Sequence, residues 1–203
     1  MPEALIIRRG FGEEQRQAAV SILWEAFAGK LGRVLRSRED AVKVLGPGPG
    51  LDPGHTVLAL RGDVLLGVMA LKDRSGEAMG ASLRDYARTY GRLRGPIRLA
   101  LLALLGEGAP ANTLMVDALA VAAEARGQGV GGRLLGEAEA ITTERGHREL
   151  ALDVLADNLG AIRLYERNGY AITSSGRLWP PLSTLFGFTG YHRMTKPASD
   201  GRG

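Results

Sequence analysis

The stretch from Asp117 to Leu135 constrains the fold more than any other part of this 203-residue chain. An apolar run ending at Val121 reads as a strand. A short turn follows, and Arg126-Gly127-Gln128-Gly129-Val130-Gly131-Gly132 then leads into an amphipathic helix. Glycines at a helix start let the backbone approach a ligand closely, and the free amides of the first turn point at whatever sits there. The positive end of the helix dipole adds to this, so the segment predicts a cradle for a phosphate or diphosphate.

The glycine run resembles the Arg/Gln-x-x-Gly-x-Gly/Ala signature of the GCN5-related N-acetyltransferases, met here by Arg126, Gly129 and Gly131. The same glycines also satisfy Gly-x-Gly-x-x-Gly through Gly127, Gly129 and Gly132, with Asp153 about twenty residues on, as in dinucleotide-binding loops. A dinucleotide loop begins almost directly off its strand, whereas here Ala122 to Arg126 intervene. It also normally opens a large doubly wound sheet, for which too little chain follows. Downstream, Asn158, Ala161, Leu164, Tyr165, Gly169 and Tyr170 match the second acetyltransferase pattern, Asn-x-x-Ala-x-x-Leu-Tyr-x-x-x-Gly-Phe/Tyr. Asp157 or Asn158 suits a helix N-cap, Asn158, Ala161 and Tyr165 share one helix face, and Gly169 supplies a left-handed stop. The resemblance covers Val116 to Tyr170, and the rest of the chain by architecture only.

The remaining pattern agrees with that architecture. Ala4 to Arg8 reads as a strand, and Glu13 to Gly29 as a helix with Ala19, Ile22, Leu23, Ala26 and Phe27 on one stripe. Ser37 with Asp40 signals the start of a second helix to Leu45, and the Pro/Gly run from Gly46 to Gly54 must be a loop. Thr56–Leu60 and Val64–Lys72 form a hairpin around Arg61-Gly62-Asp63. Strands follow at Thr113–Val121, at Leu150, Leu152 and Val154, at Ala171–Ser174 and at Tyr191–Lys196, with helices at Val130–Thr143 and after Asn158. The fold class expected is α/β (α+β), the fold of that acetyltransferase family: a mixed, mostly antiparallel sheet of six or seven strands flanked by helices. Residues 1–196 make one domain, and 197–203 a loose tail.

One segment, 75–111, exceeds the minimal plan between the third and fourth strands. Leu83–Arg94 puts Tyr86, Tyr90 and Leu93 on one side and Arg84, Arg88 and Arg92 on another, and after Gly95-Pro96 the run Ile97–Leu105 is apolar nearly all round. Nine residues are too few to span a bilayer, which needs about twenty. The segment reads as a helical pair capping the sheet, as a homodimer contact or acceptor-pocket wall, or as a membrane-surface attachment through its basic face.

Composition narrows the chemistry. With no cysteine, disulfides, thiolate metal sites and an acetyl-cysteine mechanism are excluded, so transfer must be direct. His55, His147 and His192 do not fall at metal-ligand spacing, and no metal is expected. His55 and His147 are expected at the surface, and His192 near the acceptor site or simply on the final strand. A net charge of +4 fits a coenzyme rich in phosphate. No basic run is interleaved with aromatics, so no nucleic-acid partner is expected. No secretion signal opens the chain, so a cytoplasmic location is expected.

The family resemblance implies acetyl-CoA as acyl donor and a primary amine, of a small molecule or a protein, as acceptor. Leu119, Ala120 and Val121 would give main-chain groups to the pantetheine arm, the amide of Leu119 or Val121 serving the thioester oxygen. Arg126, Gly127, Gln128, Gly129, Val130, Gly131 and Gly132 would hold the diphosphate, with Arg133 either adding charge or only solvated. Asn158 would bond the pantetheine arm or a water, or act as a plain N-cap. Tyr165 matches the position whose hydroxyl lies near the CoA sulfur, and is assigned general acid. A phenol of pKa about 10 suits a thiolate whose acid has pKa about 8.5. Asp117, a carboxylate inside an apolar strand, is the candidate general base, with a structural role as the other reading. Alternation puts it on one face with Met115 and Leu119 unless a bulge intervenes. Trp179, Phe186 and Phe188 in the apolar loop Ser175–Thr189 would bound an acceptor pocket or pack on a twin subunit. A non-catalytic acyl-CoA-binding module and, further off, a dinucleotide-dependent oxidoreductase are the alternatives.

Overall fold

The computed structural model describes residues 3–35, 37, 39–40, 43, 51–79, 83–94, 109–180, 183–184 and 187–199, without the side chains of 27–35 and 83. The expected second half of the insertion, the end of the Ser37–Leu45 helix and Phe186 lie outside the described residues.

Eight strands, β1 (Leu5–Arg9), β2 (Thr56–Arg61), β3 (Val64–Asp73), β4 (Gly76–Glu77), β5 (Thr113–Val121), β6 (Glu149–Leu155), β7 (Ala171–Arg177) and β8 (Gly190–Pro197), form one sheet. Their order is β1-β2-β3-β5-β6-β8-β7, with β4 pairing β3. Every pair is antiparallel except β5–β6. That parallel step requires a crossover, which helix α3 (Val130–Glu144) provides. The other α-helices among the described residues are α1 (Glu13–Leu35), α2 (Leu83–Tyr90) and α4 (Leu159–Arg167). The mixed, mostly antiparallel sheet read from the sequence is therefore present, with the two-residue β4 as an addition inside the 75–111 segment.

The two sheet faces carry separate cores. On one, Ala19, Val20 and Leu23 of α1 cover Leu58, Val68, Ala70, Ala118 and Ala120. On the other, Leu134, Leu135, Ala138 and Ile141 of α3, with Ile162 and Tyr165 of α4, cover Met69, Leu71, Val116, Leu152 and Met194. The α1 stripe starts one turn earlier than expected: Arg16, Ala19, Val20 and Leu23 are buried while Ala26 is exposed. Arg16 can take a buried position because its guanidinium donates to the Leu51 carbonyl and pairs with Glu13.

Local chemistry sets the ends of several elements. Gly62 turns the β2–β3 hairpin at φ 57°, and Gly169 stops α4 at φ 84°. The Asp40 amide donates to Ser37 Oγ, the capping contact expected there. Helix α2 ends at Tyr90 instead of Arg94, and Leu93 is 83% exposed, so it does not share the buried side with Tyr86. Strand β8 runs to Pro197, and the Ala198 amide donates to the Arg148 carbonyl, which holds the first residues of the expected tail against the sheet.

Candidate functional site

Strands β5 and β6 pair only from Thr113↔Glu149 to Val116↔Leu152. Beyond that point β5 continues to Val121 beside β3, and β6 continues to Leu155 beside β8. The main chain of Asp117–Val121 thus faces a gap in the sheet. Its polarity follows from one contact: the Ala122 amide donates to the Leu66 carbonyl of β3. Amide directions alternate along a strand, so Ala120 also turns toward β3, while Leu119 and Val121 turn their amides into the gap. The Val121 carbonyl, on that same side, accepts from Arg126 Nε at 3.3 Å.

The end of β5 delivers the chain through the 3-10 turn Ala123–Ala125 to the glycine run. Gly127 and Gly129 have φ 75° and 78°, and a Cβ on either would meet nothing within 4 Å. Both therefore border open space, at φ values that disfavour any side chain. Gly129 is the N-cap of α3 and has no side-chain cap, so the first amides of the helix are left for another acceptor. Arg126, Gly127, Gln128 and Gly129 are exposed, whereas Val130 and Gly131 are buried. Gly131 has a packing role: its missing Cβ would sit 3.1 Å from Leu164 Cδ2 of α4 and 3.7 Å from Leu119 Cδ2. The α3 start, α4 and β5 meet there. Gly132 borders Asn168, and Arg133 is exposed.

Two side chains that the sequence reading left out also enter the site. Arg61, at the end of β2, donates to Gln128 Oε1 at 3.1 Å, while Gln128 Nε2 donates to the Glu124 carbonyl. Arg61 thereby ties the β2–β3 hairpin to the glycine loop and brings a further cation to it. Lys72 follows the apolar run of β3 as its next-to-last residue, and its Nζ lies 2.9 Å from Asp117 Oδ1. The sequence signal for Lys72 was its charge immediately after Val64–Leu71, but nothing local names its partner.

Asp117 stands at a β-bulge. Ala70 faces Ala118 and Leu71 faces Val116, so Asp117 is the extra residue on β5. The expectation that Met115, Asp117 and Leu119 share a face fails for this reason. Val116 and Leu119 both pack in the α3-side core, while Met115 pairs with Lys72 on the α1 side. Asp117 and Tyr165 accordingly belong to opposite faces of the sheet.

Tyr165 is buried in the α3-side core, with its ring centroid 5.9 Å from that of Tyr170. Burial pushes its phenol up to about 12, so the hydroxyl is protonated at any ordinary pH. Asn158 caps α4, its Oδ1 accepting from the Ala161 amide at 3.2 Å. The N-cap reading of Asn158 is therefore met, and only its amide nitrogen is left for a second task. Tyr170 is buried, and its hydroxyl has no hydrogen-bond partner among the described residues.

The histidines depart from expectation. His55 and His147 are half-buried at the opposite end of α3 from the glycine loop, converging on Asp73, whose side chain is only 3% exposed. Asp73 accepts from Ser75, from Arg145 at 2.8 Å and from His147, while His55 lies 2.7 Å from Asp52. Burial alone would raise the Asp73 carboxyl, but these donors outweigh it and hold it well below the usual carboxylate range. His192 Nδ1 lies 2.7 Å from Ser175 Oγ and, like Met194 two residues on, faces the α3 side, away from Asp117. Trp179 is 72% exposed. Among the described residues no group of three or more His, Asp or Glu could hold a metal, and no helix is long and apolar enough to cross a membrane.

A family model described as the acetyltransferase (GNAT) family matches residues 20–170. No curated protein matches the sequence. Among solved structures, the chain resembles a GCN5-related N-acetyltransferase from Kribbella flavida at TM-score 0.60 and 20% identity, covering 96% of this chain and 98% of that one. An agmatine N-acetyltransferase in its apo form gives TM-score 0.62 at 19% identity over 96% and 100%. The ribosomal-protein-S18-alanine N-acetyltransferase from Escherichia coli gives 0.56 at 16% over 98% and 97%. At these identities the likeness is one of fold.

Proposed function

We propose a function from one premise: the chain belongs to the acetyltransferase (GNAT) family. Acetyl-CoA, the donor of that family, supplies an activated acetyl thioester, and this chain passes the acetyl group directly to a primary amine of a small molecule or a protein. One observation carries the reading. A gap opens between β5 and β6 beside a helix start where two left-handed glycines border open space. An extended arm with two amides fits such a gap strand-fashion, and a diphosphate fits bare amides at the positive end of a helix.

Each residue then has a task. Leu119, Ala120 and Val121 hold the pantetheine arm through the main chain, and the gap-facing amides of Leu119 and Val121 are the donors available to a thioester oxygen as it gains charge. The amides of Val130, Gly131 and Gly132 hold the diphosphate, Gly127, Gln128 and Gly129 shape the loop around it, and Arg126 adds charge. Asn158 uses its remaining amide nitrogen on the arm or on a water.

A lysine-like ammonium has pKa about 10.4 and must lose a proton before it attacks. Asp117 takes that proton, directly or through water. The nitrogen lone pair forms the new bond to the acetyl carbon as the carbon–sulfur bond breaks, and Tyr165 gives the departing sulfur a proton. Asp117 then releases its proton to solvent and Tyr165 regains one, so the net transfer is from nitrogen to sulfur. A phenol near pKa 12 is a weaker acid than a thiol near 8.5, so Tyr165 hydrogen-bonds the sulfur first and yields its proton only as negative charge gathers there.

The test is thiol release from acetyl-CoA across a panel of primary amines and amino-terminal peptides, with calorimetry of CoA binding. Tyr165→Phe should lower kcat by about 10²-fold or more while leaving CoA affinity unchanged. Unchanged turnover would remove the acid role, and a folded wild-type protein that takes up no CoA would end the whole reading.

A further inference from the structure

We infer that Lys72 is a positioning residue for the proposed general base, fixing one oxygen of Asp117 so that the other is presented to the acceptor. This deepens the acetyltransferase reading and rests on it.

Four observations converge. First, the contact is direct: Lys72 Nζ is 2.9 Å from Asp117 Oδ1, with side chains 11% and 22% exposed. Second, among the described residues Asp117 has no other partner, so its Oδ2 is uncommitted and the carboxylate is the more open member of the pair. Third, Asp117 is the bulged residue of β5, a place where a strand re-aims one side chain at the expense of regular alternation. Fourth, the bulge coincides with the end of the β5–β6 ladder at Val116↔Leu152, which is where the sheet opens.

The strand partner explains why the lysine can do this. Strand β3 is regular opposite the bulge, so Lys72 stays on the α1 face with Val68 and Ala70, directly across from Met115. Its apolar stem therefore runs along a packed surface while its ammonium reaches sideways to the bulge. An unpaired carboxylate that is only partly exposed would turn toward solvent, and an ammonium at one oxygen removes that freedom. Misplacement of a reacting group by about 1 Å can reduce rate about 10²-fold. The pair is also half-buried rather than a surface ion pair, which makes its geometry more than a screened attraction.

The experiment compares Lys72→Met, Lys72→Arg, Asp117→Asn and the double variant in the full chain. The reaction is thiol release from acetyl-CoA with the fastest amine of the panel, or with water as acceptor where no amine exceeds hydrolysis. Lys72→Met is expected to lower kcat about 10- to 100-fold with KM for acetyl-CoA unchanged, and Lys72→Arg to recover most of the loss. Lys72 acts only through Asp117, so the double variant should be no slower than Asp117→Asn. That comparison holds even if Lys72→Met alone folds poorly, because the double variant leaves no unpaired charge. A folded Lys72→Met with wild-type kcat beside a slow Asp117→Asn, or a double variant about tenfold slower than Asp117→Asn, would overturn the inference and leave the base assignment standing. An Asp117→Asn variant with full activity would remove the base assignment itself, and the role of Lys72 with it.

Discussion

Tyr170→Phe is expected to make this protein more stable. The Tyr170 residue is 3% exposed, and its hydroxyl has no hydrogen-bond partner among the described residues. In the unfolded chain that hydroxyl is hydrated; on folding it is buried without a partner among the described residues. Leaving such a group unsatisfied costs about 1–3 kcal/mol. Phenylalanine removes the penalty and keeps the ring, including its tilted contact with Tyr165 at 5.9 Å. The void left by one oxygen offsets a few tenths of a kcal/mol, roughly, at about 24 cal/mol per Å³. The net gain expected is about 1 kcal/mol, which for a domain of this size raises Tm by about 2–4 °C. Urea unfolding should show a higher midpoint with an unchanged slope, since the surface exposed on unfolding is the same. Turnover should not change. A loss of about 1 kcal/mol or more would refute the reasoning, because it would mean that the hydroxyl makes a hydrogen bond in the folded protein.

Two further outcomes follow from the same geometry. Gly129→Ala places a Cβ in open space but at φ 78°, where an L-residue is destabilised by about 1–2 kcal/mol, so the variant should fold, lose about that much stability and bind CoA more weakly by calorimetry. Unchanged CoA affinity would show that the left-handed cap does not shape the cradle. Asp73→Asn should lose about 3 kcal/mol at pH 7, because Arg145 and His147 are left facing a neutral amide. The folded Asp73 carboxyl is depressed below its unfolded value of about 3.9, so its contribution is present above that pH and lost as pH falls through the folded value. The stability gap between variant and wild type should therefore begin to narrow below pH about 4 and close only below the depressed folded value; a gap that does not narrow with acid would rule out the charge of Asp73 as its source.

The sequence by itself determined what depends on neighbours a few residues away. The 3.6-residue and two-residue periods named α3, β5 and β6 to within a residue or so. Gly169 was legible as a left-handed stop and Gly62 as part of a tight turn, because only the backbone energy of the residue itself is involved. Asn158 was legible as a cap for the same reason: its Oδ1 reaches an amide three residues on. The cradle could be read because a strand, a glycine turn and a helix start are contiguous.

Tertiary structure alone decided the long-range charge pairs. The period of β5 breaks at Asp117 because β3 sets a register that leaves one residue over, and nothing within β5 states that. The partners of Lys72, Asp73 and Gln128 come from 45, 72 and 67 positions away respectively, brought there by sheet order and not by local preference. His55 and His147 looked like surface residues because a lone histidine carries no local sign of burial. His55 has a local partner in Asp52, but only the closing of β3 and the α3–β6 turn on each other brings Asp73 to His147 and makes its burial tolerable. Short-range backbone and capping energies are written along the chain, whereas pairs such as Lys72–Asp117 and Arg145–Asp73 depend on distances that exist only once the sheet has closed.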